Sequence, residues 1–171
     1  MNSICQCLRE TRSTPIKWAF LSLSSFLIGC FTVAYGQDDV AWADDAAVQA
    51  VLEQRRAGIE AMIAGTMSAE TERYSSTFMA NTPANAVIAG NVLLELFSSG
   101  DINYEHVEQL IEYAGSHGPD MVVIMGEEIV VPGEGLANAG RRIHRRFTDV
   151  FRYENGGWRH DLRHANVTEI E

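Results

Sequence analysis

The chain has 171 residues, 13 basic and 23 acidic, and carries a net charge of −10 with histidine neutral. Its acidity and the absence of any lysine beyond Lys17 exclude the broad basic footprint that nucleic-acid binding needs. The three cysteines, Cys5, Cys7 and Cys30, lie near the start, so everything after position 30 lacks thiols, disulfides and cysteine metal ligands.

Residues 1–36 read as an export leader. Arg9, Arg12 and Lys17 precede the apolar run Trp18 to Val33, and Ala34-Tyr35-Gly36 follows as the cleavage site. Cleavage there places the protein in the periplasm or outside the cell. Two alternatives stay open: a retained anchor over Trp18 to Gly36, and a lipoprotein, because Leu27-Ile28-Gly29-Cys30 is similar to the bacterial lipobox. Contact with a membrane is expected only through this leader.

Residues 37–45 form an acidic, flexible stub onto which Trp42 can fold back, and residues 46–171 suit one domain with one core. Val48, Val51, Leu52, Ile59, Met62 and Ile63 recur at helical spacing, with Glu53, Arg55, Arg56 and Glu60 assigned to the outer side. Gly65 ends this helix, and Ser68 to Arg73 forms one further short turn. Tyr74 to Ala80 is a strand stopped by Asn81-Thr82-Pro83. Asn85 then caps a second helix whose stripe is Val87, Ile88, Val92, Leu93, Leu94 and Phe97.

Four strands follow: Asn103 to Tyr113, Met121 to Val131, Ala139 to Tyr153 and Trp158 to Glu169. Helix, strand, helix and four antiparallel strands imply an α+β domain, with helices covering one face of a bent sheet. Within Arg141 to Arg163, seven arginines meet three acids. Glu105, Glu108, Glu112, Glu127 and Glu128 on neighbouring strands are their expected partners.

Asn155-Gly156-Gly157 punctuates the last two strands as a hairpin. A two-residue turn at Asn155-Gly156 pairs Tyr153 with Trp158, Phe151 with His160, Asp149 with Leu162, Phe147 with His164 and Arg145 with Asn166. One face of the ribbon then holds Ile143, Phe147, Phe151, Tyr153, Trp158 and Leu162, with Asp149, His160, His164 and Asn166 among them. An apolar sheet surface carrying a few ionisable groups is the sequence pattern of a small-molecule pocket.

The element order, the segment Arg146-Phe147-Thr148-Asp149-Val150-Phe151-Arg152, the turn, and Gly157-Trp158-Arg159 leading to Arg163-His164-Ala165-Asn166-Val167 resemble the nuclear transport factor 2-like superfamily, in its bacterial SnoaL-like small-domain branch. The likeness spans about Ala47 to Val167. It implies a cone of curved antiparallel sheet closed by N-terminal helices, and a homodimer. Members include isomerases, dehydratases and cyclases as well as proteins that only bind ligands or serve as accessory domains, and no universal catalytic residue travels with the fold. The resemblance also implies that a polar residue near the end of the last strand, His164 or Asn166, faces the cavity.

On the residues alone, Asp149 among Phe147, Phe151 and Leu162 is a candidate proton carrier, since apolar neighbours disfavour the carboxylate. His160 and His164 lie diagonal to it. The enzyme reading gives Asp149 and His164 the catalytic roles, with Tyr153 and Asn166 orienting a substrate oxygen and His160, Phe147, Phe151, Trp158 and Leu162 completing the pocket. It needs no cofactor and no metal, because no third ligand joins the two histidines by spacing. Two other readings stay open: a non-catalytic carrier or sensor using the same groups, and a dimeric scaffold that docks through the arginine face.

Overall fold

The computed structural model describes Ala34–Tyr35 and residues 42–171. The leader's cleavage and lipidation, and most of the acidic stub, fall outside the described residues. Among them, two residues, β1 (Ala34–Tyr35), pair in parallel with Leu110 and Ile111.

Helix α1 (Ala46–Ile63) starts at Asp45, whose Oδ1 accepts the backbone N–H groups of Ala47 at 2.9 Å and Val48 at 3.2 Å. Those are donors that the first helical turn leaves unpaired. Its buried residues are Val48, Val51, Arg55, Gly58 and Ala61, and Trp42 packs against the same core as Val48 and Val51. The expectation that Arg55 lies on the outer side is thereby corrected. The steps 48, 51, 55, 58 place it in the middle of the inward stripe. Two short 3-10 turns, Met67–Ala69 and Thr71–Arg73, lead into β2 (Tyr74–Asn81).

The second helix begins later than its apolar stripe suggests. Val87–Ala89 is a strand, β3, paired with Met79 to Asn81, and α2 runs from Gly90 to Ser99. Asn85 is a turn residue with φ 58° rather than a helix cap. The five residues from Thr82 to Ala86 close a hairpin through the Thr82 N–H and the Ala86 carbonyl at 2.8 Å, which captures the β-branched pair Val87-Ile88 for the sheet. Strands β4 (Tyr104–Ser116), β5 (Met121–Pro132), β6 (Ile143–Glu154) and β7 (Gly157–Ile170) follow.

The sheet order is β1-β4-β5-β6-β7-β2-β3. The consecutive strands β4 to β7 are antiparallel, and β2 lies parallel to β7, so the sheet is mixed where the sequence suggested an antiparallel one. It is curved and unclosed, with both helices on its inner side, an α+β cone. Val48 and Val51 of α1 pack on Ile111, Ala114, Val122, Ile124, Phe147, Phe151 and Ala165. A second apolar group, Val107, Val130 and Ile143, meets Ile59 and Ile63 near the end of the helix.

The β6–β7 ribbon starts in the expected register, Tyr153 with Trp158 and Phe151 with His160, around a turn whose Asn155 and Gly156 have φ of 51° and 81°. Those positive angles are what a two-residue hairpin of this twist requires. The register then slips. Val150 pairs with Leu162, Asp149 with Arg163, Thr148 with His164, Phe147 with Ala165 and Arg146 with Asn166, leaving Asp161 as the extra residue of a β-bulge. Because side chains alternate along a strand, one extra residue exchanges the two faces of the stretch from Leu162 to Val167, up to a second irregularity at Thr168. Asp161 is pinned there by Ser75 Oγ at 2.6 Å, Thr77 Oγ1 at 3.0 Å and Arg152 Nε at 2.7 Å.

Candidate functional site

The inner face of the sheet, the second half of α1 and α2 border a partly open cavity of about 160 Å³. One side is apolar: Ile59 and Met62 of α1, Met67, Phe78 of β2, and Leu93 and Phe97 of α2. The other is strongly polar, built from Arg55, Gln109, Glu128, Arg145, His160 and Arg163. These six come from α1, β4, β5, β6 and β7, so no local stretch of sequence displays the site.

Asp149 lies beneath the polar side, fully buried. Arg55 Nη1 donates to its Oδ2, and Arg163 Nη1 lies 3.1 and 3.0 Å from its two oxygens. Two guanidiniums hold this carboxylate as the anion. That reverses the expectation of a neutral acid in apolar surroundings: Phe147 and Phe151 are its neighbours as expected, but Leu162 has turned outward and the bulge has brought in Arg163. Phe147 is stacked beneath the cations, with the Arg55 guanidinium carbon 4.2 Å and that of Arg163 5.6 Å from its ring centre.

Glu128, 4% exposed, is the second buried acid. It accepts from Arg163 Nη2 at 2.5 Å and Gln109 Nε2 at 3.1 Å, and Arg145 Nη1 lies 3.7 Å away. Burial works against its charge, but Arg163, Arg55 and Arg145 outweigh it and hold the carboxyl at about 2. Arg55 also donates from Nε to Gln109 Oε1 at 2.9 Å; burial and the adjacent Arg163 bring its guanidinium down to about 9, against the pull of Glu128. Arg145 Nη1 reaches the Tyr104 hydroxyl at 3.1 Å. Among the described residues, Arg55 Nη2 and Arg145 Nε are buried without a hydrogen-bond partner.

His160 lies flat against Phe151, ring centres 4.6 Å apart and 9° from parallel, with the edge of Phe78 at 5.0 Å. Burial first, then the charges of Arg163 and Arg55, push its pKa well below the usual 6.5. The imidazole is neutral at physiological pH although its Nε2 lies 3.3 Å from Asp149 Oδ1.

Of the residues singled out in the sequence, Phe151 and His160 line the cavity, while Asp149 and Phe147 support its floor. Trp158 is half-buried against the core and does not line it. Tyr153, 49% exposed, sits beside the turn of the hairpin. His164 and Asn166 are exposed and Leu162 is 45% exposed, all three beyond the bulge on the opposite side of the sheet. Their placement in the pocket is therefore corrected, as is the expectation that His160 and His164 share a face. Among the described residues no group of histidine, cysteine, aspartate and glutamate side chains is arranged to hold a metal. The cavity residues not singled out as a site in the sequence are Arg55, Gln109, Glu128, Arg145 and Arg163. Arg55 carried a signal in its position on the helical stripe, and the expected pairing of Glu128 with arginines of the 141–163 segment is met by Arg163 at 2.5 Å and Arg145 at 3.7 Å.

No protein-family model matches the chain, and neither does any curated protein. Solved structures do. An NTF2-like protein of unknown function in nutrient uptake from Rhodospirillum rubrum superimposes with a TM-score of 0.58 at 19% identity, covering 69% of this chain and 95% of that one. A ketosteroid isomerase-like protein from Erwinia carotovora atroseptica gives 0.61 at 11% identity, covering 73% and 98%. A putative Ca/calmodulin-dependent kinase II association domain from Exiguobacterium sibiricum gives 0.56 at 11%, covering 72% and 95%. At these identities the likeness is one of fold, and the fold is the one the hairpin and element order suggested.

Proposed function

Starting from a chain with the nuclear transport factor 2-like fold, we propose that it binds a small organic anion with an apolar body, and that it does so as a carrier or sensor rather than as a proton-transfer enzyme. The observation that carries this reading is the two-sided cavity: a greasy wall facing the cationic side chains of Arg55, Arg145 and Arg163. A ligand carboxylate would be held beside these guanidiniums by charge-assisted attraction. A dry cavity of roughly 150 Å³ takes a benzene-sized body, which sets the scale of the apolar part. Against proton transfer, Asp149 is engaged by Arg55 and Arg163, and His164 is turned away from the cavity.

The test is calorimetric titration with benzoate and its neutral isostere benzamide. Benzoate is expected to bind at least tenfold more tightly, and Leu93→Trp, which fills the apolar side, is expected to abolish the binding. Equal affinity for the two, or undiminished binding to the filled variant, would remove the reading.

A homodimer fits the outer sheet face. Val123, Val150, Leu162 and Met79 form one apolar row across β5, β6, β7 and β2 through the pairings Val123–Val150, Val150–Leu162 and Met79–Leu162. Leu162 and Met79 are 45% and 40% exposed. A second copy laid on this row would bury it.

A further inference from the structure

We propose that Glu128 is the residue that sets the charge of the ligand: by neutralising one of the cavity's arginines from within, it matches the site to a single negative charge and selects carboxylates over doubly charged phosphate monoesters. This rests on the anion-binding reading above and deepens it.

The argument is a charge count at the polar end. Arg55, Arg145 and Arg163 are positive there, Asp149 and Glu128 are negative, and His160 is neutral, so one positive charge is left over. Arg73 also lines the cavity, but Glu70 pairs with it at 2.8 Å. Tyr74, whose phenol burial keeps protonated, and Tyr104 complete the lining at this end. The two acids differ in position. Asp149 is fully buried under the floor, whereas Glu128 lines the cavity itself, where it lies on Arg163, on Gln109 and within reach of Arg145. Glu128 thus occupies, as a built-in carboxylate, part of the arginine surface that an incoming anion would use. A monoanion brings the end to neutrality. A dianion would leave an uncompensated negative charge close to Glu128 in a low-dielectric enclosure, where like charges repel strongly.

The experiment compares benzoate with phenyl phosphate, a dianion at pH 8, by titration calorimetry on the intact protein and on Glu128→Gln. The native protein is expected to favour benzoate. Glu128→Gln should shift the ratio of the two dissociation constants at least tenfold toward phenyl phosphate, while Glu127→Gln, on the outer face, leaves the ratio where it was. If the native protein binds both probes and Glu128→Gln leaves their ratio unchanged, the charge-setting role is overturned and the anion site stands. If the native protein binds neither, the anion site itself falls and this role falls with it. Should Glu128→Gln not fold, Arg145→Met tests the same count: with the end neutral, benzoate is expected to lose at least tenfold against benzamide, and an unchanged preference overturns the proposal.

Discussion

Arg55 and Asp149, 94 positions apart, meet as a buried ion pair that joins α1 to the floor of the sheet beneath the cavity. Arg55 is 9% exposed and Asp149 fully buried, so each charge is tolerable only because the other is present.

Removing one partner should therefore be far more harmful than removing a surface pair. Asp149→Leu leaves Arg55 and Arg163 facing each other in the interior and is expected to lower stability by about 3–5 kcal/mol, read from the urea midpoint. Arg146→Met, which breaks the exposed pairs with Glu112 and Glu127, is expected to leave the midpoint within error. Similar midpoints for the two variants would contradict this account of the floor.

His160 gives the fold a pH dependence of definite sign. In the folded protein burial and two arginines keep the imidazole neutral, whereas the unfolded chain takes up a proton below about pH 6.5. The unfolded state then binds more protons, so stability falls with falling pH by about 1.4 kcal/mol per unit over the range where only the unfolded imidazole is protonated. Glu128, held at about 2, adds a second loss below its unfolded value near 4.3. In His160→Phe the loss between pH 6 and 5 should disappear while the acid loss persists; equal slopes in that interval for both proteins would refute the assignment.

Gly126 marks a close approach of two strands. A Cβ built there would lie 2.0 Å from the Leu110 carbonyl oxygen, beside the irregular step between Ile111 and Tyr113 in the β4–β5 pairing. The obstacle is backbone, so the strand itself must move. Gly126→Ala is expected to destabilise by about 1–3 kcal/mol or more, measured by thermal unfolding, even though alanine ordinarily suits a strand better than glycine does. A neutral or stabilising result would show that the approach is looser than described.

The proposed dimer makes its own prediction. Leu162→Arg places a charge in the middle of the outer apolar row and should convert the protein to a monomer in analytical ultracentrifugation, with benzoate affinity retained because Leu162 does not line the cavity. A dimer that survives this change would have to use another surface.

Local sequence specified the elements well wherever one force dominated. The Asn155-Gly156 turn follows from two positive φ angles, and α1 follows from its apolar stripe and the Asp45 cap. The inner faces of β6 and of the first part of β7 follow from strict alternation, which is why Phe147, Asp149, Phe151 and His160 were placed inward from the sequence. Long-range contacts decided the rest. The bulge at Asp161 is held by Ser75, Thr77 and Arg152, and two of those three lie on β2, which pairs with β7 in parallel and lies more than eighty positions away. Without that contact nothing marks where the register changes, so Leu162, His164 and Asn166 read as inward and Arg163 as outward. The buried arginines were hidden for a related reason: a guanidinium reads as surface until its carboxylates, here on other strands, are known.

The bulge also separates what the binding chamber is made of from what the chain is made of. Excising one residue at Asp161 would close the ladder across that step and turn the stretch from Leu162 to Val167 over, offering leucine, imidazole and carboxamide to the inner side and sending a guanidinium to solvent. Two strings that differ by one residue thus encode chambers of opposite character. Gain or loss of a single codon is therefore a shorter path to a different lining than point replacement of each lining residue.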